Sequence, residues 1–220
     1  MRYPGFTEFP GMILWTSRNS GIRAVPGQYQ VRLTVDGEAL TTPFEIRLDP
    51  RVDLASADDL EARFALASEI SAKVSEANEA VLLVRGIKQQ VDALDLSSSQ
   101  ELRASVKGLV DAISSIEGRI YQVNNQSRQD PLNFPIMLND KLAGLIRTVE
   151  SAEARPTDQT RAVFANLSAR LDDELSMLTS ALDKELPRVN ERLEAAGLAP
   201  IERRALVIEE QADSDESQTD

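Results

Sequence analysis

The sequence predicts an α+β protein that is mostly α: a short antiparallel β segment over residues 1–50, an up-down antiparallel four-helix bundle over 51–206, and an acidic tail over 207–220. Three observations predict it. Half of the chain's ten prolines and half of its ten glycines fall in the β segment, where apolar residues recur with a period of two. After Asp49-Pro50 the period changes to about 3.5 and persists through four segments separated by breakers. From Glu209 onward, Glu209, Glu210, Asp213, Asp215, Glu216 and Asp220 carry half of the net charge of −12 with no Lys or Arg among them. Such a tail reads as disordered and solubilising.

Within the β segment, Gly11 to Trp15 (GMILW) is a short apolar strand candidate. A hairpin follows. Tyr29, Val31, Leu33 and Val35 alternate with polar residues, Asp36-Gly37 supplies a tight turn of positive φ, and Leu40, Phe44, Ile46 and Leu48 line one face of the return. In Pro26 to Val31 (PGQYQV), Tyr29 is followed two residues later by an inward-facing residue. This is the pattern of the tyrosine corner that opens strand F of an immunoglobulin-like sandwich, with Val31 in the place of the second cysteine. Tyr29 to Val35 would then be strand F and Leu40 to Leu48 strand G, with strands A to D expected ahead of Met1. A sheet of two or three strands is marginal in water. Its apolar face therefore needs a cover, which the helices, another copy of the chain or the missing part of a larger domain could supply, and an open edge beside Leu, Phe and Trp invites aggregation.

Ser56, with Asp59 three residues on, reads as the cap of a first helix whose seam is Leu60, Phe64, Ala67, Val74, Val81, Val84, Val91 and Leu94. Gly86 interrupts this helix and, costing about 1 kcal/mol relative to Ala, marks a bend or weak point. A second helix from near Ser98 carries Leu102, Val106, Leu109, Ile113, Ile116, Ile120 and Val123. The third spans Ile136 to Ala154 on Leu138, Leu142, Leu145, Val149 and Ala152. Thr157 caps the fourth, whose seam runs from Phe164 to Leu193 and contains Pro187, a residue that should kink it. Short turns favour closure of the four seams within one chain over an intermolecular coiled coil.

The stretch QDPLNFPIMLNDKL, Gln129 to Leu142, joins the second and third helices. Asp130-Pro131 starts a turn and Pro135 starts a helix where its missing amide costs nothing. Leu132 and Phe134 can plug the end of the bundle, and Asn124, Asn125, Asn133 and Asn139 can satisfy free helix termini. Tyr29, Gly37, Asp130, Pro131, Phe134 and Pro135 are thus structural candidates, and the joint reads as a joint rather than a ligand site.

Composition narrows the chemistry. The absence of Cys and His removes disulfides, thiolate nucleophiles, the usual zinc sites and imidazole acid/base catalysis. Paired carboxylates at Asp58-Asp59, Asp172-Asp173 and Glu209-Glu210 are adjacent in sequence, so on a helix they do not face one another as glycoside hydrolysis requires. Ser127 and Ser97 to Ser99 lack an activating base, and no glycine-rich phosphate loop occurs. Trp15 reads as core or sheet packing rather than a sugar platform. No cofactor, catalytic residue or metal site is expected. The chain has no Lys/Arg stripe for nucleic acid, and its longest apolar run, Ala80 to Val84, is far short of the roughly 20 residues that span a bilayer. Met1 is followed by Arg2, Tyr3, Pro4 and Gly5, unlike a signal peptide.

Five stretches carry a resemblance: RYPGFTEFPGMILW (Arg2 to Trp15), AVPGQYQVRLTVDG (Ala24 to Gly37), RLDPR (Arg47 to Arg51), QDPLNFPIMLNDKLAGL (Gln129 to Leu145) and SAEARPT (Ser151 to Thr157). Over Arg2 to about Leu193 the chain resembles the C-terminal region of large bacterial sortilin-like proteins, which carry bacterial-neuraminidase-type (BNR) β-propeller repeats and are often labelled glycosyl hydrolases. The chain departs from that pattern at Met137, where a basic residue is expected, and at Asp140, where an amide is expected. The resemblance implies a secreted or extracytoplasmic parent with propellers first, an immunoglobulin-like segment next and this bundle last. It carries over no functional residue, because the family's hydrolase or ligand-binding function belongs to the propellers. The expected role is a noncatalytic structural and protein-interaction module whose partner is the propeller region or another protein. The rivals are a glycosidase-associated or carbohydrate-binding fragment using Trp15, and a freestanding oligomeric scaffold.

Overall fold

A computed structural model describes residues 1–51, 55–97 and 99–207. Its elements are strands β1 (Gly27–Val35) and β2 (Glu38–Ile46), helices α1 (Ala57–Asp92), α2 (Gln100–Ile120), α3 (Leu138–Val149) and α4 (Asp158–Ala195), and a single 3-10 turn at Asp130–Leu132. This is the expected mostly helical α+β fold. Of the acidic tail, only Val207 lies within the described residues, as does neither Ser98 nor the Glu209-Glu210 pair.

The caps follow the sequence. The Ser56 side chain accepts from the Asp59 amide and the Asp59 carboxylate accepts from the Ser56 amide, the reciprocal box that satisfies two free donors at the start of α1. Thr157 accepts from Thr160 N–H at 3.2 Å to start α4, and Ser99 accepts from Leu102 N–H at 3.3 Å to start α2. Ile70, Val74, Val81 and Ile87 of α1, Leu109 and Ile113 of α2, Leu142 of α3, and Leu171, Leu182 and Leu193 of α4 form one buried core.

Gly86 is not a bend. It lies within an unbroken α1 because the C-terminal chain crosses the helix there: a Cβ on Gly86 would sit 2.1 Å from the Arg204 carbonyl oxygen, and Leu206 N–H donates to Leu82 O at 2.9 Å. α4 likewise continues through Pro187, which lies on its exposed face, where water can take the carbonyl left without an amide.

Long-range pairs set the directions. Arg63 meets Glu153 at 2.6 Å and Asn139 meets Asn78 at 3.1 Å, so α3 runs antiparallel to α1. Arg119 meets Glu174 at 2.8 Å and Arg192 reaches Glu101 O at 3.4 Å, so α2 runs antiparallel to α4. α2 ends where Glu117 receives Arg85 and Lys88, and α3 starts beside Asn78 of the same helix. The two shorter helices, of 21 and 12 residues, therefore follow one another along the 36 residues of α1 and point the same way. The packed pairs are antiparallel, but the directions in chain order are up, down, down, up.

That order corrects the reading of the joint. It interrupts the bundle part-way along α1 instead of closing its end, so Leu132 and Phe134 are exposed and plug nothing, and Val123 is exposed too. Asp130-Pro131 does form the turn, with the Asp130 carboxylate accepting from Gln126 N–H at 2.6 Å and Ser127 N–H at 2.7 Å. Pro135 does not start a helix. Its carbonyl instead accepts from Gln122 Nε2 at 2.9 Å, and α3 begins at Leu138 after an uncapped Met137. α3 also stops at Val149 rather than near Ala154, because Glu150 and Glu153 turn away to Arg2, Arg23 and Arg63.

Nor is Gly11 to Trp15 a strand. The first 24 residues lie as an irregular strap over α1 and α3, with Phe6, Phe9 and Ile22 in the core. The amides that a ladder would use go to side chains: Ile13 N–H to Tyr121 Oη at 3.1 Å, and Trp15 and Thr16 N–H to the Asp140 carboxylate at 2.8 and 3.0 Å. Trp15 is 47% exposed, outside both core and sheet.

Candidate functional site

The hairpin stands apart from the bundle. β1 pairs antiparallel with β2 from Gly27 opposite Ile46 to Val35 opposite Glu38, leaving Asp36 and Gly37 as a two-residue turn with φ of 50° and 87°. Both positive values fit the type I′ turn expected of Asp-Gly. Tyr29 Oη donates to Val25 O at 2.8 Å, four residues upstream, which is the bond that defines a tyrosine corner, and the Tyr29 ring stacks on Phe44 at 5.8 Å between centroids.

The register puts Tyr29, Val31, Leu33, Val35, Leu40, Phe44 and Ile46 on one face and Gln28, Gln30, Arg32, Thr34, Thr41 and Glu45 on the other. Neither face meets a helix: among the described elements β1 and β2 contact only each other, and the hairpin touches the rest of the molecule at its base, where Val25, Pro26 and Leu48 come near Ala57 and Leu60 and Tyr29 meets Tyr3 of the strap. Val31, Leu33, Val35 and Leu40 are consequently 47%, 59%, 55% and 75% exposed. That is the uncovered apolar face the sequence warned of.

Its two edges differ. Pairing alternates outward from the turn, so the Val35–Glu38 pair is hydrogen-bonded and Gln30–Pro43 is not. Pro43 thus faces outward and removes a donor from the outer edge of β2, as suits an edge strand. The outer edge of β1 has no such gap, since Gln28, Gln30, Arg32 and Thr34 each keep an amide. A further strand therefore finds a continuous ladder only beside β1.

The remaining candidates do not converge on this face. Asp130, Pro131, Phe134 and Pro135 lie in the joint, away from Tyr29 and Gly37 in the hairpin. Asp59 serves the α1 cap and receives Arg155 at 2.7 Å; its bond from Ser56, then that from Arg155, hold its carboxyl at about 2. Asp172 pairs with Lys73 at 2.7 Å across α1 and α4. Among the described residues no cluster of three Asp or Glu is placed to hold a metal ion, and no helix is long and apolar enough to cross a membrane.

The side chains that organise the strap were not foreseen. Asp140 takes the Trp15 and Thr16 amides and the Thr16 hydroxyl, while fully buried Asn78 donates to Thr7 O at 2.7 Å and accepts from Asn139. The available signal was an Asn-Asp pair in the first turn of a short amphipathic helix, which reads equally as a cap. Comparison with family models, curated proteins and solved structures finds no match to this chain.

Proposed function

We propose that the chain is a noncatalytic structural and protein-interaction module of a sortilin-like β-propeller protein, in which the open hairpin face docks onto the remaining strands of an immunoglobulin-like sandwich carried by that protein. The observation that carries the reading is the contrast within one molecule: the helices and strap close on their own core, while a correctly turned, correctly paired hairpin leaves its apolar face in water. The Tyr29–Val25 bond and the single intact edge of β1 favour a sandwich as the complement, because they give the hairpin the corner and edge polarity of strands F and G. In this role the bundle braces or presents the propellers, and the secreted setting follows from the parent.

The test is to mix the purified chain with the propeller and sandwich region of a sortilin-like protein and follow association by calorimetry. One-to-one binding with a negative heat-capacity change is expected, as apolar burial requires. Leu33→Lys combined with Leu40→Lys should abolish it without changing the helical signal. No association would overturn the docking reading, and hydrolysis of chromogenic glycosides by the chain, lost on substituting a carboxylate, would overturn the noncatalytic one.

A further inference from the structure

A cleft of about 620 Å³ opens between the strap, the joint and the C-terminal half of α3. Its charge has the opposite sign to the rest of the molecule. The chain has 36 acidic and 24 basic residues, yet this cleft is lined by Arg2, Arg18, Arg23, Arg128 and Arg147 against Glu150 alone. Arg2 is matched by Glu150 at 2.7 Å and Arg23 by Glu153. Among the described residues, Arg18, Arg128 and Arg147 have no carboxylate within 4.0 Å, and their guanidinium groups make no hydrogen bond. A guanidinium stays charged at any physiological pH, so three of them brought together from three separate segments leave an uncompensated positive field, which a concave wall focuses.

We propose that this cleft binds a small ligand carrying an oxyanion, a carboxylate, sulfate or phosphate, on a compact ring or apolar body. The guanidinium forks of Arg18, Arg128 and Arg147 match the oxygens of such a group. Phe6, Leu14, Ile22 and Ile146 give an apolar lining, the half-exposed Trp15 ring forms a wall, and Ser20 and Ser71 offer hydroxyls, those of Ser17 and Ser151 being donated to the Arg18 and Thr148 carbonyls. The volume suits a small molecule.

The walls are fixed in place before any ligand arrives. Asp140 holds Trp15 and Thr16 through their amides, and Glu150 holds the Arg23 amide at 2.6 Å. Gly21, at φ 69°, lies so close to the strap's own start that a Cβ there would meet Tyr3 O at 1.9 Å. The backbone of the walls is thus ordered beforehand, and the ordering cost of binding falls on the side chains of Arg18, Arg128 and Arg147, which are exposed and without partners among the described residues. The inference is independent of the hairpin reading, since no hairpin residue lines the cleft.

Trp15 is the chain's single tryptophan and forms a wall of the cleft, so its fluorescence responds to a ligand seated there, and the Arg18→Gln variant separates that response from binding at the neighbouring surface around Lys141 and Leu145, which Arg18 does not line. The full chain is titrated at constant ionic strength with sodium phosphate, sodium sulfate, sodium glucuronate and neutral glucose. A saturable change is expected with at least one of the anions and none with glucose, with binding about tenfold weaker in each of Arg18→Gln and Arg147→Gln at unchanged circular dichroism. Response to glucuronate alone assigns a carboxylate on a ring, whereas response to phosphate or sulfate assigns a phosphate- or sulfate-bearing ligand, the free ion filling the subsite of that group. Absence of saturation with every anion, an equal response to glucose, or indifference to both substitutions would overturn the proposal.

Discussion

Asp140 shows how one buried side chain decides where an irregular strap lies. Asp140 is 3% exposed and its carboxylate accepts from the Trp15 and Thr16 amides and the Thr16 hydroxyl, so removing it leaves part-buried donors without their acceptor. Asp140→Ala should destabilise the protein by about 3 kcal/mol, and Asp140→Asn by about 2 kcal/mol because an amide nitrogen would face an N–H. Chemical denaturation with matched m-values measures both, and faster amide exchange at Trp15 and Thr16 shows that the loss begins in the strap. Gly86 makes the converse point. Alanine is the better helix former by about 1 kcal/mol, but its methyl would collide with the Arg204 carbonyl oxygen 2.1 Å away. Gly86→Ala should therefore expel the 204–206 segment and expose the Leu206 amide to exchange, a result that helix propensity alone predicts backwards. Neither residue's role was legible in the sequence, because both answer to chain more than a hundred residues away. Tyr29 and Gly37 were legible because their partners are their neighbours, at Val25 and Asp36.

At the scale of elements, caps and seams were legible and ends were not. Ser56 and Thr157 start their helices through bonds three residues away, which a sequence displays directly. α3 ends early only because Glu150 and Glu153 find arginines on the strap and on α1, which no local pattern contains. The local cap also carries a pH dependence. The Asp59 carboxyl is lowered from 3.8 to about 2 by its bonds from Ser56 and Arg155. A carboxyl depressed in the folded state stabilises it fully above the unfolded value, and that contribution is lost as pH falls through the folded value. The first turn of α1 should accordingly fray between pH 4 and 2, seen as loss of protection at the Asp59 and Leu60 amides. The Asp59→Asn variant should lack that transition, and a transition that persists in it would assign the effect to another group.

The topology of the whole molecule was the least legible level. Period and turn length foretold four helices that close on themselves. They could not foretell that α2 and α3 share a direction, which depends on Glu117 stopping beside Arg85 and Asn139 starting beside Asn78. The same long-range packing gathers Arg18, Arg128 and Arg147 into one cleft, although no basic stripe exists along the chain. It also splits the molecule into parts of unequal stability. α1 and α4 bury their seams in a common core, whereas β1 and β2 are held by their own ladder, one stacked ring pair and the few contacts of Tyr29 at the base. A lone two-stranded hairpin is marginal in water, while core amides open only with the whole domain. Amide exchange in β1 and β2 should therefore run more than about a thousandfold faster than at Val74 or Leu171, the gap expected between a local opening and global unfolding. A partner sheet seated on Val31, Leu33 and Leu40 should close much of that gap by slowing the strands alone. Equal protection of strands and helices in the isolated chain would mean that the hairpin is already covered, and the case for a docking partner would fall with it.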